Sequence, residues 1–421
     1  MFIPQEQQPL RANFEICTTH VDDCNHFIAD ENEHQALMSV LNTAFEQTDQ
    51  TNALKNLGKE FRFNAQTASF HLACKGILLR VMRKLNIQNE THGKVKKLDL
   101  ALLTAKKPYV LLMEEEKTGL DENSRPTTNY DVNLFTSCTE QDQIIYRKLV
   151  GVGNYVICQV RADDSVEQSV LAKYTSRPER RHMNGVQQMF RNMLITIDLE
   201  LQIGGRLPFY TQVKYRTILP TGYLQSVDPR AMELISMTDS SLHNHVDDRA
   251  TQLGHINFID GTPYSWKSYH SNTTLNSSRD AELVAIYDNM LVPQRAHEIL
   301  TALKIPIIGH VPLLMTDNNP VVDNLKNVYS AIEKAYLDTK LQALKEEQRN
   351  NTLQIIHIPR TLNLADSFCK TELTTEEIKL RKETFFAETS IIPIMNPLGT
   401  FAKNHQVITS KSAAKQNTLE S

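Results

Sequence analysis

The run Gly254-His255-Ile256-Asn257-Phe258-Ile259-Asp260-Gly261-Thr262-Pro263-Tyr264-Ser265-Trp266-Lys267-Ser268-Tyr269 decides how this chain reads. Two β-rich segments, Gly254–Ile259 and Tyr264–Tyr269, flank Asp260-Gly261, a dipeptide that accepts the positive φ angles of a tight hairpin. Upstream, Met232–Thr238 reads as a partner strand running into Asp239. Downstream, Ser277/Ser278 opens a helix whose apolar face is Leu283, Ile286, Tyr287, Met290 and Leu291. Val311–Thr316 follows as an apolar strand ending at Asp317, and Pro320 sits where the first turn of a helix tolerates proline. The spacing of Leu325, Val328, Tyr329, Ile332 and Tyr336 predicts one long amphipathic helix. A strand at Leu353–Ile358 and a final helical stretch carrying Asp366 complete the order. Three meandering strands followed by alternating helix and strand make a mixed α/β domain over residues 231–375.

Working outward, residues 1–90 read as hairpin, helix and further strand. Phe14-Glu15-Ile16 and Phe27-Ile28 flank a polar centre, Thr18-Thr19-His20-Val21-Asp22-Asp23. Asp30 and Glu33 form a capping-box signal before a helix bearing Leu37, Val40, Leu41, Ala44 and Phe45 on one face. Residues 70–86 read as a strand running into a second helix. Residues 91–145 are polar and poorly periodic, with Glu114-Glu115-Glu116 and Asp121–Pro126 as a solvated linker or loop. Helical periodicity resumes at Tyr146 and runs to about Ile197, and Gly204-Gly205, Pro208, Pro220 and Pro229 punctuate a boundary before residue 231. Residues 376–421 remain as a tail.

The totals bound the function classes. A length of 421 residues suggests two or three domains at roughly 150 residues each. Apolar residues are 41% and charged residues 22%, the balance of a globular chain rather than a disordered one. The 45 Lys and Arg against 49 Asp and Glu give a net charge of −4, so a nucleic-acid partner would have to be met by a local basic face. Six scattered cysteines without a C-x-x-C pair fit a reducing compartment and exclude a disulfide framework. No apolar run approaches the roughly 18 residues of a membrane span, and the N-terminus lacks the pattern of a secretory signal.

Four acids fall where such a domain could gather them: Asp239, Glu282, Asp317 and Asp366. Two end strands, one lies in the first turn of a helix and one opens the last helix. Hard Mg²⁺ ions prefer oxygen ligands, and two such ions together activate water and neutralise the leaving oxygen in phosphodiester cleavage. On residue types and spacing alone the plainer reading stands ahead, because acids at strand ends and helix N-termini commonly serve as caps and dipole partners.

The words around these acids resemble the ribonuclease H domain of copia-type LTR retrotransposon Pol polyproteins. They are Met237-Thr238-Asp239-Ser240-Ser241, Ser265-Trp266-Lys267-Ser268, Leu275-Asn276-Ser277-Ser278-Arg279-Asp280-Ala281-Glu282, Leu314-Met315-Thr316-Asp317-Asn318 and Asn363-Leu364-Ala365-Asp366-Ser367-Phe368-Cys369-Lys370. Upstream, Tyr146–Tyr155 is similar to the family's "YR-x-LVG…Y" helix, Phe190–Ile195 to its "RVLRYL" helix, and His20-Val21-Asp22-Asp23 to the polymerase "YVDD" hairpin. The resemblance covers most of residues 14 to about 375. It implies an α/β, multi-domain chain: a truncated reverse-transcriptase palm remnant at 1–90, the polar linker at 91–145, a helical thumb and connection at 146–230, and an RNase H-like mixed-sheet domain at 231–375.

The implied reaction is hydrolysis of the RNA strand of an RNA–DNA hybrid, with Mg²⁺ or Mn²⁺ held by Asp239, Glu282, Asp317 and Asp366 and no protein nucleophile. Implied partners are the hybrid, other retrotransposon proteins or an intact polymerase copy, and no membrane; the implied location is the cytoplasm, in a virus-like particle, or the nucleus. Polymerisation is not expected, because only 21 residues precede Asp22 and the third carboxylate that Asp22 and Asp23 need would lie further upstream. His20 replaces the family's aromatic, and with His26 it offers a transition-metal alternative to plain hairpin polarity. The family's "TRPDI" is Val160-Arg161-Ala162-Asp163-Asp164 here, Cys369 replaces a usual Thr, and Thr371 a usual Pro. Arg177, Arg180 and Arg181 form a basic cluster that reads either as a phosphate contact or as a solvated loop. The competing functional readings are a domesticated, non-catalytic nucleic-acid or protein-binding module, and a structural partner subunit for an intact polymerase.

Overall fold

A computed structural model of the chain describes residues 15–20, 23–28, 55–56, 59–64, 69–85, 98, 100–104, 132–221, 223, 231–242, 250–370, 377 and 383–386. Asp22, the helix expected after Asp30, Leu57-Gly58, the acidic run at 114–116 and most of the tail lie outside these residues. Near the N-terminus, β1 (Glu15–His20) pairs antiparallel with β2 (Asp23–Ile28), His20 opposite Asp23. A second sheet joins β3 (Lys55–Asn56), β4 (Lys59–Asn64) and β5 (Ser69–Ala73), and β5 leads into helix α1 (Lys75–Leu85).

Three helices follow within the stretch of helical periodicity. Helix α2 (Glu140–Gln159) starts six residues before Tyr146, because the Thr139 side chain caps the Asp142 N–H at 3.2 Å. Helix α3 (Ser165–Ala172) is separated from it by Val160–Asp164, and α4 (Arg180–Ile195) begins at a reciprocal cap in which the Glu179 N–H donates to His182 Nδ1 at 2.9 Å. Strand β6 (Leu201–Ile203) then returns to β5, pairing Leu201 with Leu72 and Ile203 with Phe70. The segment expected to be a boundary thus holds a strand, and Phe209 beyond it packs edge-on against Phe258 at 4.9 Å.

The C-terminal region is a mixed α/β domain. Strands β7 (Leu234–Ser241), β8 (Gln252–Ile259) and β9 (Thr262–His270) form the antiparallel meander, with Asp260 (φ 48°) and Gly261 (φ 70°) at the hairpin turn. Helix α5 (Ser278–Asn289) is capped by Ser277, whose hydroxyl accepts from the Asp280 N–H at 3.1 Å, and α6 (Leu291–Ala302) follows it. Strand β10 (Leu313–Thr316) lies parallel to β7, helix α7 (Asn319–Lys326) is capped by Asn318 with Pro320 in its first turn, and helix α8 (Ala335–Arg349) leads to β11 (Gln354–His357), parallel to β10. The sheet order is β11-β10-β7-β8-β9.

Strand alternation gives this sheet two buried faces. Ile235, Met237, Ile256, Phe258, Leu313 and Met315 join a core that also contains Tyr146, Val156, Met189 and Phe385. Leu253, Leu314 and Ile355 pack the other way, against Leu283 and Ile286 of α5 and Leu341 and Leu344 of α8. Trp266 Nε1 donates to the Ile157 carbonyl at 3.1 Å, tying β9 to α2.

One expected helix is corrected, and the final helical stretch takes a tighter form. The run Leu325–Tyr336 is two helices with a break: the Tyr329 N–H donates to Asn327 Oδ1 at 3.0 Å and the Ser330 hydroxyl to the Asn327 carbonyl at 3.0 Å, so local side-chain bonds replace the helical ladder. Tyr329 is 94% exposed there, so its apolar spacing marks no buried face. The final stretch is two short 3₁₀ turns, Arg360–Leu362 and Leu364–Phe368, the second capped by Asn363 Oδ1 accepting from the Ala365 N–H at 3.1 Å.

Candidate metal centre

Strand pairing sets two of the four acids side by side. Asp239 lies on β7, two residues past the Met237–Met315 pair that joins β7 to β10, and Asp317 follows β10 directly. The hydroxyl cap at Ser277 starts α5 so that Glu282 comes over the same strand ends. Ligand oxygens of Asp239, Glu282 and Asp317 all lie within 4.8 Å of one another.

Glu282 is held on both oxygens. Oε1 accepts from the Ser240 N–H at 2.9 Å and its hydroxyl at 2.8 Å, and Oε2 accepts from Thr316 Oγ1 at 3.2 Å. Asp239 is braced from behind, where the Cys369 thiol donates to its carbonyl at 2.9 Å. Asn363 Nδ2 donates to the neighbouring Thr238 carbonyl at 3.0 Å, fixing the turn that carries Asp366.

Burial pushes the Asp239 carboxyl well above the usual carboxylate range, and the charges of Glu282, Asp317 and Asp366 push the same way. Burial also raises Glu282, with the charge of Asp317 adding to it against the hydrogen bonds from Ser240. Asp317 is raised by burial first and then by Asp366. Three crowded carboxyls in a low dielectric cannot all ionise without protons or a cation. Their oxygen-only donor set fits a hard divalent ion such as Mg²⁺ or Mn²⁺. That fit is carried by the crowding itself.

Asp366 stands outside the 4.8 Å set, though close enough for its charge to act on Asp239 and Asp317. One of its oxygens meets Arg360 Nη2 at 3.4 Å and the other an ion pair with Lys370 Nζ, which also reaches Glu377 Oε1 at 2.8 Å. The structure therefore brings three of the four sequence-predicted acids together and leaves the fourth with two cations. Asp23 opens β2, and nothing is described of its side chain; Asp22 lies outside the described residues.

The basic cluster divides. Arg177 and Arg180 are exposed, whereas Arg181 is buried, pairing with Glu179 at 2.8 Å, donating to the Leu102 carbonyl at 2.7 Å and lying 4.6 Å over the Phe135 ring. Arg181 is part of the packing of α4. The hydroxyls of Ser240 and Thr316 and the cations Arg360 and Lys370 are site residues that sequence reasoning missed. The first two sit inside the quoted words, next to an acid, which is the one signal that could have found them.

No protein-family model matches the chain. Its homologues are Ty1 (copia-type) Gag-Pol polyproteins: the transposon Ty1-NL2 Gag-Pol polyprotein of Saccharomyces cerevisiae is 21% identical over 359 residues, 83% of this chain. The Ty1-DR6 Gag-Pol polyprotein of the same yeast is 22% identical over 295 residues, 68% of this chain. The chain spans only 18% and 15% of the length of these two relatives. Among solved structures, LC11-RNase H1 in complex with an RNA/DNA hybrid aligns at 19% identity over 32% of this chain and 93% of that one, with a TM-score of 0.24. The foamy viral protease-reverse transcriptase in complex with an RNA/DNA hybrid aligns at 14% identity over 37% and 21% of the two chains, with a TM-score of 0.25.

Proposed function

We propose that this chain is a retrotransposon-derived Pol segment whose C-terminal domain hydrolyses the RNA strand of RNA–DNA hybrids, using divalent cations bound at Asp239, Glu282 and Asp317 with Asp366 as the fourth carboxylate. The observation that carries this reading is the convergence of three carboxylates, two of them buried, at the ends of two adjacent parallel strands. Homology to Ty1 Gag-Pol polyproteins supports the retrotransposon origin.

Bound Mg²⁺ or Mn²⁺ would supply an activated water and charge neutralisation at the leaving oxygen. The chain's residues do the positioning. Ser240 and Thr316 hold both Glu282 oxygens, so the carboxylate keeps one orientation without reorganising during a turnover. The buried walls around Asp239 strengthen its interaction with a cation relative to water. The hybrid would be held by backbone and 2′-OH contacts with little sequence readout, and Arg177 and Arg180 are exposed cations that could meet its phosphates. Other Gag-Pol products are the expected partners, in a cytoplasmic particle or in the nucleus.

The test is cleavage of a labelled RNA–DNA hybrid with Mg²⁺ or Mn²⁺, comparing the chain with Asp239→Asn. Metal-dependent cutting of the RNA strand that the variant loses supports the reading. Equal cutting by both overturns it; cutting by neither also overturns it and leaves a non-catalytic hybrid-binding module, which retained binding would reveal.

A further inference from the structure

The two cations on Asp366 have a consequence for how the centre loads. Both oxygens of that carboxylate are engaged, one by Arg360 and one by Lys370, while among the described residues no cationic side chain forms an ion pair with the other three carboxylates, Arg360 reaching Asp317 only through its charge. Lys370 lies four residues after Asp366, beyond the Leu364–Phe368 turn, and it has a second carboxylate within reach, Glu377. A cavity of about 300 Å³ opens beside them, lined by Arg360, Asp366, Lys370, Glu377 and Phe385 among others.

We propose that Lys370 is a positioning residue that holds Asp366 away from the Asp239–Glu282–Asp317 cluster, so that the centre is preformed for one divalent ion and admits a second only when Lys370 releases Asp366. This rests on the function proposed above. An ammonium paired to a carboxylate competes directly with a divalent ion for the same oxygens, and a neighbouring positive charge disfavours the ion even when the oxygens are free. Glu377 makes release feasible: Lys370 can turn to that carboxylate without becoming an unpaired charge. Arg360, 70% exposed at its side chain, has an alternative partner in a substrate phosphate, which would free the second Asp366 oxygen as the hybrid docks. Loading would then be ordered, with the first ion resident and the second arriving with the substrate.

The experiment is a Mn²⁺ titration without nucleic acid, reading free Mn²⁺ by electron paramagnetic resonance, on the full chain and on Lys370→Met, Lys370→Gln, Lys370→Arg and Asp239→Asn. The native chain should bind one ion in a tight class and a second at least about tenfold more weakly. Both neutral variants should tighten the second class by about tenfold or more while keeping the first, and Lys370→Arg should match the native chain. Retention of the first ion shows that each variant is folded. A second ion as tight as the first in the native chain, or no tightening in either neutral variant, overturns the proposal. If the first ion binds and Asp239→Asn abolishes it while the Lys370 variants change nothing, only the role of Lys370 falls. If no ion binds the native chain, the metal-centre reading falls with it.

Discussion

Ser240 donates both its backbone N–H and its hydroxyl to the same oxygen of Glu282, at 2.9 and 2.8 Å. A residue on the strand that carries Asp239 thereby fixes the carboxylate that comes from the helix. Ser240→Ala keeps the backbone donor and removes the other, so Glu282 retains its place with a weaker grip. The expected result is about a tenfold loss of first-ion affinity and of hybrid cleavage, with little change in melting temperature. Glu282→Gln, which removes a ligand rather than its support, should abolish both. Isothermal titration with Mn²⁺ alongside a cleavage assay separates the two effects.

Metal affinity should rise with pH. The carboxyls of Asp239 and Glu282 are raised above their ordinary values, Glu282 to about 7, so below neutrality a divalent ion has to displace protons. The same shift acts on stability. Unfolded, these groups titrate near pH ~4, so between there and about 7 the folded chain holds protons that the unfolded chain releases, and metal-free stability falls as pH rises through that window. Glu233, raised to about 8 by burial, contributes a fall of the same sign, and His255, lowered to about 3 by burial, contributes the opposite below about 6.5. Neither touches the cation, so the readout is the increment in melting temperature on adding Mg²⁺. That increment should be larger at pH ~8 than at pH ~5, and Asp239→Asn should flatten the difference.

Gly254 is the place where the turn bearing Asp366 rests on the sheet. A Cβ there would stand 2.6 Å from Phe368 Cβ, 2.7 Å from Cys369 Sγ and 3.0 Å from the Phe368 carbonyl carbon. Gly254 also pairs with Asp239 in the ladder, so the strand cannot easily retreat. Gly254→Ala should cost about 1–3 kcal/mol and push the Leu364–Phe368 turn outward. Asp366 would move with it while Asp239, Glu282 and Asp317 stay. First-ion binding should persist as hybrid cleavage falls, and a lower urea midpoint would report the strain.

What the residues announced locally is what the chain could show before folding. Asp260-Gly261 needs no distant partner to make a hairpin, and Ser277 and Asn318 cap their helices through the N–H groups of Asp280 and Val321 three residues on. The helix drawn through Val328 and Tyr329 failed because apolar spacing says nothing about which side is covered, and the Asn327 and Ser330 side chains bind the backbone instead. The order of the acids was legible from the words around them, but their grips were not. Ser240 and Glu282 are 42 residues apart, and the bond from Asn363 to the Thr238 carbonyl spans 125. Contacts of that range exist only once the sheet has formed.

Arg161 is the sharpest test of the packing behind the sheet. Its guanidinium is 3% exposed and pairs fork-to-fork with Asp163, both bonds at 2.9 Å. It also reaches Asp164 Oδ2 at 3.3 Å and Thr196 Oγ1 at 2.8 Å, and donates to the Met193 carbonyl at 3.2 Å. Arg161 and Asp163 are the two letters of the family's "TRPDI" that this chain keeps, and their mutual bridge gives the reason they go together. Arg161→Met would remove the buried guanidinium that bridges both aspartates at the α2–α3 junction, an expected loss of about 3–5 kcal/mol. Arg161→Lys should also destabilise, because one ammonium cannot reproduce the two-pronged bond to Asp163 while reaching Thr196 and Met193. Adding Asp163→Leu to Arg161→Met should recover part of the loss, since it removes a buried charge along with its Arg161 partner. Urea unfolding midpoints of the three variants measure this directly, and a double variant no more stable than Arg161→Met alone would show that the hydrogen bonds to α4, rather than the ion pair, hold the junction.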